Sequence, residues 1–334
     1  MLGNIKSASL RISAWVLAFA VGSATVAFAQ EYGTRKSPTH QPTAAIARSA
    51  ADAAIPPFRA FGNANYGTGG VALRNRGAGS ISVSGVTGAV QAAFLYWAVI
   101  DPNSASASIF INRRFPLPLT GPGIVLTGTV VGTGAQPCWI GNNIVIYRAA
   151  IPLYIVSPGN GEYAVSLLPG AAGSTDGGDP WVETPVLPLW EGASIVMIGT
   201  GGGTVNLFDG LPADEFSPPF SYSLTLTGTT SETVLWDNIG ADGQVGGTPT
   251  GRSAEARTSG ETTTINGLLI AGPGSALNLT GDWNGSSGFP LPQLWDDTGH
   301  QFPSSGASTL NITIDGGPPA QDDCLVLVAN VVQF

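Results

Sequence analysis

The side chains that could carry proton transfer or nucleophilic attack are few in this chain and widely scattered. His40 and His300 are the two histidines, Cys138 and Cys324 the two cysteines, and Lys6 and Lys36 the lysines. Proton transfer near neutral pH commonly recruits histidine, and an activated Ser, Cys or Lys needs a base beside it. His300 follows Asp296 and Asp297 and precedes Ser304 and Ser305. Those are the residue types of a Ser-His-Asp device, but no G-x-S-x-G elbow accompanies them. A histidine in a turn is therefore expected, and a catalyst is not. The 22 acidic residues fall mostly among turn-forming residues, and no two of them stand out as the carboxylate pair of a glycoside hydrolase.

Binding chemistry has better candidates. Asp282, Asn284 and Ser286 place oxygen atoms on alternate residues, with Asp296 and Asp297 further on. This is how a calcium loop begins, although Gln293 stands where a helix-loop-helix site would carry its closing glutamate. The competing explanation is that Asp and Asn simply close turns through bonds to their own backbone. Asp237, Asn238 and Asp242 form a second acidic group, and Asp176 and Asp179 sit in a glycine-rich stretch. Trp283 and Trp295, with Trp181 and Trp190, lie beside Gly, Pro or Asp and would suit a sugar-stacking platform if they stood on exposed loops. Tryptophan is mostly buried, however, and Trp97 and Trp139 sit in apolar runs that read as core.

Cys138 and Cys324 have no further Cys or His at metal-ligand spacing. In an oxidising compartment an even count favours a disulfide. A bridge between them would close a loop of 186 residues, worth about 5 kcal/mol in the chain-entropy model. It would also make the middle and the end of the fold neighbours.

The elements that must hold these residues begin after an N-terminal leader. Lys6 and Arg11 precede an apolar stretch from Ile12 to Val26, and Ala27-Phe28-Ala29 has the small-x-small pattern of a signal-peptide cleavage site, so residues 1–29 read as a secretion signal. No other stretch has the ~20 apolar residues of a membrane-spanning helix. Loss of the leader takes the net charge from −9 to −11. Such a field repels phosphate backbones, so nucleic acid is not an expected partner. With no lysine after Lys36, the folded part cannot form a Lys–Asn isopeptide cross-link.

Residues 30–57, rich in Thr, Pro, Ala and Ser, read as a flexible tail, and residues 58–334 as the folded domain, with a sub-boundary near 215. Alternation is clear around Ser80–Ser84, Tyr163–Leu167, Val205–Leu207, Tyr222–Leu226 and Leu310–Ile314, as in half-buried strands. Phe94–Ile100, Ile144–Tyr147, Ala193–Gly199 and Cys324–Val332 are apolar throughout and suit strands covered on both faces. Glycine and proline, 46 and 25 residues, punctuate these runs, and no helical period is sustained. The expected fold is all-β, a jelly-roll-like β-sandwich or two packed sub-sandwiches. The strands look too short and proline-rich for an outer-membrane barrel, despite the terminal Phe334. Leu235–Gly240 echoes Leu294–Gly299, a match that chance explains better than duplication.

Several segments together carry a resemblance: A-F-L-Y-W-A-V at Ala93–Val99, P-C-W at Pro137–Trp139, I-V-I-Y-R-A at Ile144–Ala149, G-N-G-E-Y-A-V at Gly159–Val165 and G-A-S-I-V-M-I at Gly192–Ile198. N-L-F-D-G at Asn206–Gly210, D-W-N-G-S at Asp282–Ser286, L-W-D at Leu294–Asp296 and D-C-L-V-L-V-A at Asp323–Ala329 continue it. In their order and spacing these segments resemble an uncharacterised secreted β-sandwich domain of bacterial surface proteins, often found ahead of adhesin-like repeats. The resemblance implies a role at the cell surface or in the extracellular matrix, with no activity or catalytic residues to carry over. This chain shows no such repeats, sortase-type motif or terminal hydrophobic anchor, so attachment by those routes is not expected. The expectation is a secreted, non-catalytic adhesion or structural protein, with an extracellular glycan or surface protein as partner. A carbohydrate-binding module is the first alternative and a secreted hydrolase the second.

Overall fold

Period-two segments and fully apolar runs alike become strands in the computed structural model, which describes residues 54–114, 123–135, 141–178, 184–211, 219–241, 261–277, 282–285, 287, 294–315 and 325–334. The first half of the chain carries β1 (Arg59–Ala72), β2 (Ala78–Val83), β3 (Val90–Ile100), β4 (Ser108–Arg114), β5 (Ile124–Thr127), β6 (Thr129–Ala135), β7 (Asn143–Ala150), β8 (Gly161–Leu167) and β9 (Leu189–Thr200). The second carries β10 (Gly203–Phe208), β11 (Phe220–Thr225), β12 (Thr233–Ala241), β13 (Thr262–Ile265), β14 (Leu268–Ala271), β15 (Trp295–Pro303), β16 (Thr309–Asp315) and β17 (Val326–Gln333). A single helical turn, α1 (Leu153–Val156), follows β7.

A nine-stranded sheet in the order β15-β12-β17-β10-β1-β9-β3-β7-β6 runs through the fold, and two four-stranded sheets, β2-β8-β4-β5 and β11-β16-β13-β14, cover it. All named pairings are antiparallel. The large sheet turns on β1, whose first residues pair with β10 and whose remainder, from Ala64, pairs with β9. At the switch Asn63 takes a left-handed φ of 48°, a conformation Asn tolerates better than most residues. The Asn63 carbonyl accepts from Gly201 N–H at 2.8 Å in the β9–β10 hairpin.

Three apolar layers result. One lies between β2, β4, β8 and one face of β3, β7 and β9, with Trp97 stacked on Tyr147 and Trp190 at centroid distances of 5.4 and 6.4 Å. A second joins β11, β13 and β16 to one face of β12, β15 and β17. The third lies within the large sheet itself, where β3 and β9 face β12 and β17. The fold is thus two β-sandwiches set back to back. This explains the unbroken apolar run of β3. Leu95, Trp97 and Val99 fill the first layer, and Phe94, Tyr96, Ala98 and Ile100 the third. Alternate residues on both faces are covered, so polar residues have no wet side to occupy.

Candidate functional site

β12 and β15 pair with Asp237 opposite Gly299 and Ile239 opposite Asp297, so Asp237 and Asp297 emerge diagonally on one face. That face looks toward β1 and β9 across the layer between the two sandwiches. The approach is close because glycines clear the way. A Cβ on Gly299 would lie 2.4 Å from Asp237 Oδ1, and one on Gly70 would lie 2.9 Å from Asp297 Cβ. Asp237 accepts from Thr68 Oγ1 at 3.0 Å and from the Tyr66 phenol. Asp297 meets Ser194 and Thr68, and Trp295 Nε1 donates to Ser194 Oγ at 3.0 Å.

Burial, more than any partner, pushes the carboxyl of Asp297 up to about 7, and the neighbouring Asp237 adds to it. Burial also raises Asp237, against the hydrogen bonds from Thr68 and Tyr66 and the nearby His300, which favour its charged form. Tyr66 is held well above its ordinary value by burial and then by Asp237. Two neighbouring carboxyls disfavour double ionisation.

The opposite face of the same strands carries a separate polar group. His300 Nε2 is 2.5 Å from Asp282 Oδ1, and its ring stacks on Trp236 at 5.7 Å. Trp236 Nε1 and Tyr222 Oη both donate to Asn330 Oδ1, at 2.6 and 3.1 Å, tying the outer sheet to β12 and β17. Among the described residues no serine hydroxyl hydrogen-bonds to His300, and Ser304 Oγ lies 3.2 Å from Thr230 Oγ1 instead. The turn expected around His300 is in fact the middle of β15.

The calcium arrangement expected from Asp282, Asn284, Asp296 and Asp297 does not assemble. Asp282 faces His300, Asp296 Oδ1 accepts the Asn284 N–H at 3.1 Å, and Asp297 points to the other side of its strand. Consecutive strand residues face opposite ways, so Asp296 and Asp297 cannot converge on one ion. Ser286 lies outside the described residues, and among those described no group of three or more His, Cys, Asp or Glu could hold a metal. Asp237 and Asn238 lie within β12 rather than in a turn. Asp176 does close a turn, its Oδ1 accepting Gly178 N–H at 3.0 Å.

The sugar platform built on Trp283 and Trp295 is also overturned, because both rings are buried. Trp283 lies against Gly240, where a Cβ would be 2.2 Å from its ring, and Trp295 lies against Gly192. Trp190 is core as well. Trp181, Asp179, Asp242, Cys138 and Cys324 fall outside the described residues, as do residues 1–53.

Two ion pairs went unnoticed in the sequence. Arg148 pairs with Asp209, which also accepts from Tyr96 Oη at 2.9 Å, and the guanidinium stacks 3.4 Å from the Phe58 ring centroid. Arg74 Nη2 donates to both carboxylate oxygens of Glu191, with relative exposures of 1% and 0%. A glutamate between Trp190 and an apolar strand was the available signal, since a charge in such a run must be paired.

No protein-family model and no curated protein matches the chain. Among solved structures, it is similar to the tandem CBM51 modules of the family 98 glycoside hydrolase of Streptococcus pneumoniae. The identity is 10%, the match covers 79% of this chain and 83% of that one, and the TM-score is 0.22.

Proposed function

We propose that this protein is a secreted, non-catalytic component of the bacterial surface or extracellular matrix, and that it assembles through an open sheet edge. The observation that carries this reading is the β5–β6 side of the first sandwich. Among the described residues β5 ends the β2-β8-β4-β5 sheet and β6 ends the nine-stranded sheet, and the chain crosses between them at Gly128. Residues 123–135 contain no charged residue and no proline. Those are among the devices with which sheets ordinarily blunt their edges. Val125 and Val130 are 53% and 50% exposed. An extended strand from a like chain could add there, its backbone bonds giving affinity and the valines giving grip. The leader at residues 1–29 and the shortage of catalytic side chains support the same reading.

The test is sedimentation velocity of the secreted protein over a micromolar to near-millimolar range, with Val125→Lys and Val130→Lys as variants. Self-association that both lysines abolish, with melting unchanged, is the expected outcome. A wild type that stays monomeric throughout refutes edge assembly. A glycan-array signal lost in Tyr154→Ala, at the most exposed large hydrophobic side chain described (65%), would instead establish carbohydrate binding.

A further inference from the structure

Two polar groups lie in the apolar layer between the two sandwiches among the described residues. One holds Arg148, Asp209 and Tyr96, where opposite charges meet. The other holds Asp237 and Asp297, where like charges would meet. Counting donors at the second place shows that it lacks one for two carboxylates. Thr68 has a single hydroxyl proton and gives it to Asp237 Oδ2, so it can face Asp297 only as an acceptor. Tyr66 donates to Asp237 as well. Ser194 accepts from Trp295 Nε1 and has one proton for Asp297. Asp297 Oδ2 is buried and has no hydrogen-bond partner. An ionised oxygen in that position has no donor within hydrogen-bond reach, whereas a protonated carboxyl places no charge there.

We propose that this junction is a proton-operated latch. It is closed when Asp237 and Asp297 together hold one proton against Tyr66, Thr68 and Ser194, and it loosens when that proton leaves. The surroundings offer little to replace the proton. Tyr66 is the titratable group facing the pair from β1, and β9 contributes the uncharged Ser194. On the far side of β12 and β15, His300 faces Asp282. Ionising both carboxyls therefore puts two like charges between sheets that pack through Trp295, Ile239 and Val196, and water must enter to solvate them.

The direction of the pH effect follows from linkage. Asp297 titrates near 7 in the folded chain against 3.8 for a free carboxyl. Its contribution is complete below the lower value and is lost as the pH rises through the upper one. Between about pH 5 and pH 8 the opening equilibrium should rise roughly 90-fold, with the slope flattening above about 7.

The test is amide exchange of the full chain, corrected for intrinsic base catalysis, with melting curves at the same pH values in chelator-containing buffer. Exchange at Tyr66–Gly70 and Trp295–Thr298 should rise roughly 90-fold between about pH 5 and pH 8, with a melting midpoint about 5 °C lower. In Asp297→Asn the uncharged amide cannot ionise, and the pH dependence should largely vanish. Asp237→Asn should shrink the pH dependence without removing it, because burial still raises Asp297, and it guards against one variant failing to fold. A wild-type profile flat across this range refutes the latch whatever the variants do, as does a slope that both variants keep. If added calcium restored the acid-pH midpoint at about pH 8, the place would be a cation site and the latch would be wrong.

Discussion

Removing the carboxylate of Glu191 tests how this fold tolerates charge in its interior. Glu191 sits on β9 and Arg74 just beyond β1, both sealed from solvent, and one guanidinium nitrogen serves both carboxylate oxygens. The backbone is tied at the same place, Leu73 N–H donating to the Glu191 carbonyl at 3.0 Å. Glu191→Ala removes a countercharge from a guanidinium that water cannot reach without opening the sandwich. Breaking a buried pair in this way typically costs about 3–5 kcal/mol. For a domain of this size each kcal/mol lowers the melting midpoint by about 2 °C, so a fall of roughly 6–10 °C is expected. Replacing both partners, Arg74→Met with Glu191→Leu, removes both charges and should recover most of the loss. Calorimetry, with urea titration as an independent measure, reads the cycle. A single-variant loss below about 1 kcal/mol, or a double variant no better than the single, would refute the argument that desolvation dominates here.

Other perturbations probe the packing that positions the polar groups. Gly192→Ala would put a Cβ 2.4 Å from the Trp295 ring and 2.7 Å from the Val71 carbonyl. A loss of about 1–3 kcal/mol or more is expected, with a changed tryptophan emission that locates the displacement. Asn330→Ala removes the acceptor shared by Trp236 Nε1 and Tyr222 Oη. Orphaning two buried donors should cost about 2–4 kcal/mol in chemical denaturation.

Much of the architecture was legible because it follows from local periods. Strand pairs such as Leu310–Ile314 and Tyr222–Leu226 alternate because one face is wet, and both became strands of an outer sheet, paired directly. The echo between Leu235–Gly240 and Leu294–Gly299 has a different meaning in space. The two segments are antiparallel neighbours, yet Trp236 enters the outer layer and Trp295 the central one. Matching letters thus do opposite jobs, which argues against a duplicated unit.

The candidate site was far less legible. Asp and Asn are poor strand formers, so Asp237, Asn238, Asp296 and Asp297 read as turn residues. Burial and pairing override that preference once Gly70, Gly192, Gly240 and Gly299 make room for the partners.

The sequence by itself determined the β class, because the hydrophobic period and the Gly and Pro punctuation act over a few residues. It also determined the poverty of catalytic side chains. Only the tertiary structure decided which acids meet. Asp237 and Asp297 lie far apart in the chain and join Tyr66 and Ser194 from two further strands. Their company depends on register, where a slip of one residue would turn every side chain to the other face. Whether a carboxyl keeps its proton depends in turn on that company and on the water it excludes.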